Sequence, residues 1–219
     1  MEPLELTAAY SMFPGMGEMV RARGMLAVLD SDGDSMFAAD VERQRVVSPQ
    51  VAYQMTTMLR DVIERGTGSA ARAAGVRGPV AGKTGTTDAY RDAWFVGFST
   101  SVVAGVWVGF DQPAPIGADA YAARIAVPIW ADFMRRTAQS LPPREFTLLD
   151  GLTTEELCSV SYLKPVDGCP TYTEYFKDGD KIPSQRCPIH QGSLKQRAAR
   201  AVQGIFRSLG SKIAGIFKR

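Results

Sequence analysis

The sequence predicts an α+β fold, with helices packed on an antiparallel sheet, and three observations carry that prediction. Val80 to Thr87, Asp92 to Phe98 and Ser101 to Phe110 are successive runs rich in Val, Phe and Trp, and their connections are too short to hold a crossover helix. Stretches with apolar residues at helical spacing flank them on both sides. The 219 residues are 45% hydrophobic and 22% charged, the composition of a globular chain with one sizeable core.

In chain order, Glu2 to Phe13 places Leu4, Leu6, Ala8, Ala9, Tyr10 and Phe13 at roughly helical spacing and predicts a short helix. Met25 to Leu29 and Met36 to Ala39 flank the polar turn Asp30-Ser31-Asp32-Gly33-Asp34 and predict a hairpin. That acidic turn is not an EF-hand loop, because the twelfth position from Asp30 is Val41 and not a glutamate. Ser48-Pro49 reads as an N-cap and first-turn proline, followed by a helix that buries Val51, Met55, Met58, Leu59, Val62 and Ile63 and ends at Gly66. Ala70 to Ala74 adds a short helical turn before Gly75.

Ala93 to Phe110 is uncharged for 18 residues, the lower limit for a membrane span, but Ser99-Thr100-Ser101 divides it into two strands. Ile125 to Ala138, around Pro128 and Trp130, predicts a helix with one apolar face. After Leu141-Pro142-Pro143 turn formers dominate, and after Gly192 the texture changes again. The expected organisation is therefore a domain over 1–140, an irregular cysteine-containing extension over 141–192 and a basic amphipathic helix over 193–219.

The net charge of +2 hides an asymmetry: residues 193–219 hold seven Lys or Arg and no acid, which leaves 18 basic and 23 acidic residues before them. Leu194, Ala198, Ala201, Ile205, Leu209, Ile213 and Ile216 follow helical spacing in that basic segment, a pattern suited to an anionic membrane surface or to docking. Nucleic acid is not an expected partner of a chain with an acidic body. No charged and then apolar N-terminal stretch reads as a secretory signal.

Chemistry concentrates at Lys83-Thr84-Gly85-Thr86-Thr87, on the first predicted strand of the sheet. An ammonium group can hold a proton-relay hydroxyl or an anion, threonine hydroxyls can bind a carboxylate, and glycine lets a substrate backbone lie close. An extended peptide could add to such a strand if it lies at the sheet edge, with a backbone N–H aimed at a developing oxyanion. The lone triplet is weak, and equally describes a surface strand with a solvated lysine. Lys-Thr-Gly also belongs to the signature set of serine β-lactamases and penicillin-binding proteins, beside S-x-x-K and S-D-N.

Five stretches in order make the likeness specific. Glu2-Pro3-Leu4-Glu5-Leu6-Thr7-Ala8-Ala9-Tyr10, Val51-Ala52-Tyr53-Gln54-Met55 with Ile63-Glu64-Arg65-Gly66-Thr67-Gly68, Ala81-Gly82-Lys83-Thr84-Gly85-Thr86-Thr87, Arg91-Asp92-Ala93-Trp94-Phe95-Val96-Gly97-Phe98 and Gly105-Val106-Trp107-Val108-Gly109 resemble the C-terminal part of the transpeptidase domain of class A penicillin-binding proteins. The resemblance implies a serine acyl-transferase that cross-links peptidoglycan stem peptides, is acylated by β-lactams, needs no cofactor and works on the extracytoplasmic, periplasmic face of the membrane. It implies that Lys83 supports the proton relay as the catalytic residue of this stretch. Thr84, Gly85 and Thr86 then bind substrate, with the two threonines on its terminal carboxylate and the Thr86 backbone at the oxyanion hole. Asp92 and Trp94 are expected to brace the sheet.

The sequence also departs from that pattern. It contains no asparagine, so S-x-N cannot occur, and its sole S-x-x-K, Ser161-Tyr162-Leu163-Lys164, follows the Lys-Thr-Gly strand where the family places it before. The expectation is a partial transpeptidase fold, beginning inside a larger domain and inactive alone. The alternative is a non-catalytic cell-wall binding or assembly module.

Cys158, Cys169, Cys187 and His190 are separated by ten, seventeen and two residues. Cys187-Pro188-Ile189-His190 suggests half of a zinc set, but the first gap is wide for a zinc pair, and a disulfide with one spare thiol is the favoured reading outside the cytoplasm. No metal is therefore expected, with these four residues as the weak candidates.

Overall fold

The structure, a computed structural model, describes residues 2–190. The amphipathic segment 193–219 and its expected membrane surface lie outside the described residues. The chain divides into two compact units between Asp150 and Gly151.

In the first unit, α1 (Pro3–Tyr10) opens with a capping box in which the Glu2 and Glu5 side chains and backbones pair reciprocally. It is shorter than the expected Glu2 to Phe13. The chain leaves the helix through turns that pass Met16 and Gly17 at positive φ, while the Ser11 hydroxyl donates to the Ala8 carbonyl at 2.6 Å and accepts the Val20 N–H at 2.8 Å. Two small antiparallel pairs follow. β1 (Glu18–Val20) pairs with β4 (Arg43–Arg45), closed by the 2.7 Å Arg45–Glu18 ion pair, and between them β2 (Ala27–Leu29) pairs with β3 (Ser35–Ala38). The acidic turn of that hairpin is an Asx turn in which Asp30 Oδ1 accepts the N–H groups of Asp32 and Asp34.

α2 (Pro49–Glu64) starts where expected: the Ser48 hydroxyl accepts the Val51 N–H at 3.3 Å, and Pro49 occupies a first-turn site that needs no N–H. Ala52, Tyr53, Thr56, Leu59 and Ile63 form its buried stripe. α3 (Ala70–Ala73) leads to the sheet of β5 (Ala81–Thr86), β6 (Asp92–Phe98) and β7 (Val103–Gly109), antiparallel throughout, with β6 in the middle and β5 at one edge. α4 (Ala126–Thr137) accommodates Pro128 in its first turn and buries Ala126, Val127, Trp130, Ala131 and Met134.

The two faces of this sheet are covered differently. One packs against α2, α3 and α4 around Phe95 and Trp130, both fully buried, with ring centroids 4.8 Å apart in an edge-to-face contact. Burying a Phe side chain stabilises by about 1.5–3 kcal/mol, and the aromatic pair adds about 0.5–1.5. Gly97 is needed at this contact, since a Cβ there would lie 2.7 Å from Trp130 Cζ2 and 2.9 Å from the Ala81 carbonyl oxygen. The opposite face carries α1: a Cβ on Gly105 would lie 2.2 Å from Thr7 Oγ1, so glycine sets how closely that helix approaches.

The first unit extends ten residues past the expected boundary at 140. The Thr100 hydroxyl bonds both the N–H and the carbonyl of Arg144, and Phe146 packs edge-to-face on Phe98 at 5.8 Å, so residues 141–150 belong with the sheet. The extension itself is not irregular as expected. β8 (Leu152–Cys158) and β9 (Thr171–Lys177) pair antiparallel over seven residues each, and a parallel bridge joins Lys164 to Arg186. Both strands are mostly polar and bury only Leu157 and Cys158, so no apolar alternation announces them.

Candidate functional site

Among the described residues β5 presents its outer edge unpaired, because its strand neighbour lies on one side alone. The alternation along it follows the register Lys83↔Val96, Thr84↔Phe95 and Gly85↔Trp94. Lys83, Thr84 and Gly85, with Asp92, Trp94 and Val96 of β6 and Leu6 and Tyr10 of α1, line an open groove of about 440 Å³. A backbone edge, a cation, a hydroxyl and apolar walls thus meet in one place, which suits an extended, anionic, partly apolar ligand.

The polar groups are individually positioned. Lys83 Nζ donates to the Thr84 carbonyl at 2.9 Å, which turns the exposed ammonium along the strand. Thr84 Oγ1 lies 2.6 Å from Thr67 Oγ1, in the Gly66-Thr67-Gly68 turn after α2. Thr86 is placed differently: its hydroxyl accepts the Ala122 N–H at 3.2 Å and is no part of the groove lining. Burial pushes the Tyr10 phenol above its usual pKa.

Behind the groove, Asp92 braces the sheet as expected. One carboxylate oxygen accepts the Trp107 indole N–H at 2.8 Å and the other accepts the Thr87 hydroxyl at 3.0 Å, while the Asp92 N–H donates back to Thr87 Oγ1 at 2.9 Å. Trp94 stands 6.2 Å from Trp107, centroid to centroid. The connection from β5 to β6 holds Ala89 and Tyr90 at φ of 58° and 54°, a costly region for residues with a Cβ. An edge contact of Tyr90 with Tyr121 at 4.8 Å and the Ile116 N–H bonded to the Tyr90 carbonyl hold that turn in place.

Sequence reasoning missed Leu6, Tyr10 and Thr67 as members of the site. Each lies inside a stretch that carried the family likeness, Leu6 and Tyr10 on the first and Thr67 in the Gly-Thr-Gly turn, so the signal was present. Ser161 and Lys164 form no catalytic pair: they belong to a turn and a bridge of the second unit, where Lys164 Nζ faces Glu155 at 3.6 Å. Cys158, Cys169 and Cys187 are free thiols gathered round His190, so the favoured disulfide is not what the structure contains.

The penicillin binding protein transpeptidase domain matches residues 1–135. This chain belongs to that family. Penicillin-binding protein 1A of Neisseria lactamica is 37% identical over 155 residues, which cover 68% of this chain and 19% of the relative. That of Aquifex aeolicus is 39% identical over 146 residues, 67% of this chain and 20% of the relative. The chain therefore spans about a fifth of the length of these curated relatives. The crystal structure of penicillin-binding protein 1A from Haemophilus influenzae superposes with a TM-score of 0.77 at 23% identity, covering 85% of this chain and 33% of that one, and shows that the fold is shared. Penicillin-binding protein 3 from Mycobacterium tuberculosis, complexed with ampicillin, superposes with a TM-score of 0.51 at 27% identity over 67% of this chain and 37% of that one. No helix among the described residues is long and apolar enough to cross a membrane.

Proposed function

We propose that residues 2–150 form the Lys-Thr-Gly wall and central sheet of a peptidoglycan D,D-transpeptidase that acts by serine acyl transfer on the extracytoplasmic side of the bacterial membrane. One observation carries the reading: the family's Lys-Thr-Gly segment lies on an unpaired sheet edge and lines an open groove. A stem peptide or a β-lactam enters alongside β5, where its backbone continues the sheet and its carboxylate meets Lys83 and the Thr84 hydroxyl. Lys83 also holds the hydroxyl of the proton relay. Thr86 contributes through its backbone, its hydroxyl being engaged by Ala122. The ampicillin complex of the Mycobacterium tuberculosis relative supports β-lactams as ligands of the same fold.

The attacking serine and the S-x-N segment are not among these residues, since the sequence has no asparagine and its S-x-x-K lies in the second unit. This chain alone therefore forms no acyl-enzyme. Joining to residue 1 an upstream transpeptidase segment that carries both S-x-x-K and S-x-N tests the reading. The chimera is expected to label covalently with a fluorescent penicillin, and Lys83→Ala to slow labelling by a factor on the order of 10²–10⁴, the usual range for a positioned proton-transfer group. A folded chimera that labels equally fast with and without Lys83 would sink the assignment, as would strong covalent labelling of the unmodified chain.

A further inference from the structure

Among the described residues of the second unit, 151–190, the buried apolar side chains are few: Leu157 and Val166 beside the sulfurs of Cys158 and Cys187. Its buried apolar cluster consists of Cys158, Val166 and Cys187 with Cys169 against it. A segment that buries so little apolar surface rarely holds its fold without a cross-link, either disulfides or a metal.

The side chains show which cross-link fits. Three sulfurs surround a single ring nitrogen: His190 Nδ1 lies 3.4 Å from Cys158 Sγ, 3.3 Å from Cys169 Sγ and 3.2 Å from Cys187 Sγ. One imidazole nitrogen has either one proton or one lone pair, so it can hydrogen-bond one of the three sulfurs, and hydrogen bonding does not explain why all three gather on it. All four ligand atoms lie within 4.8 Å of one another. A tetrahedral zinc with Zn–S near 2.3 Å and Zn–N near 2.0 Å sets its ligand atoms about 3.6–3.8 Å apart, close to this arrangement. A disulfide would join two of the sulfurs and leave the third, with His190, unexplained.

The backbone is arranged for the same end. Cys158 closes β8, and the N–H groups of Val160 and Ser161 point back at its sulfur. The Ile189 and His190 N–H groups do the same for Cys187, and the Val166 N–H donates to Cys169 Sγ at 3.3 Å. Such donors stabilise metal-bound thiolates from outside the ligand shell. The ten-residue gap that argued against a zinc pair is closed by the hairpin, whose register sets Cys158 opposite Thr171, two residues past Cys169. Cys187 is delivered by a strap in which the Lys164 N–H donates to the Gln185 carbonyl at 2.9 Å and the Cys187 N–H donates to the Lys164 carbonyl at 2.8 Å.

We propose that Cys158, Cys169, Cys187 and His190 bind one structural zinc ion that holds residues 151–190 together. Three thiolates and one imidazole select zinc over magnesium or calcium, and four protein ligands leave no open coordination position for substrate or water. The site is a staple and takes no part in acyl transfer, so it stands whether or not the transpeptidase reading does.

The full chain, purified under reducing conditions without chelator, is expected to carry about one zinc per chain by elemental mass spectrometry. Replacement by cobalt(II) should give the intense visible bands of a tetrahedral thiolate site with a thiolate charge-transfer band in the near ultraviolet. Cys187→Ser and His190→Ala should each reduce bound zinc at least tenfold. Because those variants could lose the second unit altogether, the unaltered chain supplies a second measurement: all three cysteines should resist alkylation until a strong chelator is added and then react together. A chain that neither carries zinc nor takes it up on dialysis overturns the proposal. So does an intact mass two hydrogens short of the reduced chain, which would mark a disulfide.

Discussion

The two units of this chain reach a folded state by opposite means. Residues 2–150 bury Ile63, Phe95, Val127, Trp130 and their neighbours between a three-stranded sheet and three helices, so the hydrophobic effect holds the sheet and its Lys-Thr-Gly edge in place. Residues 151–190 set a polar hairpin and a strap around three sulfurs and an imidazole, with Val166 as the one other member of that buried cluster. Enclosed apolar area explains the contrast. The first unit encloses enough of it to offset its conformational entropy, and residues 151–190, with so small a buried cluster, substitute coordination for area.

Metal removal should separate the two most sharply. A structural zinc in a small domain is worth on the order of 10 kcal/mol of apparent folding free energy at neutral pH. Chelation is therefore expected to expose Leu152–Lys177 to rapid proteolysis while leaving the near-ultraviolet circular dichroism of the buried Trp130 and Phe95 in place. Loss of both signals together would mean that the units are one cooperative structure.

The converse is Trp130→Ala, which empties the centre of the larger core. Trp130 is fully exposed to packing loss, being completely buried and in contact with Phe95, and replacements of this kind cost about 3–5 kcal/mol. Denaturant unfolding should show that loss in the first transition with zinc content unchanged. Gly97→Ala attacks the same contact by overfilling it, since its Cβ meets Trp130 Cζ2 at 2.7 Å and the backbone oxygen of Ala81 at 2.9 Å. About 1–3 kcal/mol is expected, less than for the cavity because Trp130 can tilt although the Ala81 carbonyl cannot. A thermal midpoint unchanged from the parent would show that the sheet yields there at no cost.

The same contrast decides what was legible in the sequence. In the first unit α2, the three strands of the main sheet and α4 stand where apolar spacing and the Ser48-Pro49 start signal put them, although Met55 and Met58, expected inside α2, are exposed and Ala52, Tyr53 and Thr56 are buried in their stead. The groove was half visible: Lys83, Thr84 and Gly85 line it, but Leu6 and Tyr10 reach it, and Thr67 reaches the Thr84 hydroxyl, through tertiary packing that spacing alone does not encode. The hydroxyl of Thr86 was expected on a substrate carboxylate and is instead bonded to Ala122, a residue 36 positions away. In the second unit β8 and β9 show no alternation because only Leu157 and Cys158 of their fourteen residues are buried, and the interval between Cys158 and Cys169 looks too long until the hairpin is drawn.

The smallest effect lies at Asp92, and it separates bracing from binding. This carboxylate borders the groove and bonds Thr87, just after β5, and Trp107 on β7. In Asp92→Ala both partners lose their acceptor, yet Trp107 is 36% exposed and the Thr87 hydroxyl is also near the surface, so water replaces much of what is lost. The expected cost is about 0.5–1.5 kcal/mol in denaturant unfolding. In the penicillin-labelling chimera, a bracing residue should lower the rate no more than a few fold, since Lys83, Thr84 and Gly85 stay on a strand still held by its ladder to β6. A hundredfold fall with stability intact would move Asp92 from the frame of the site into its chemistry.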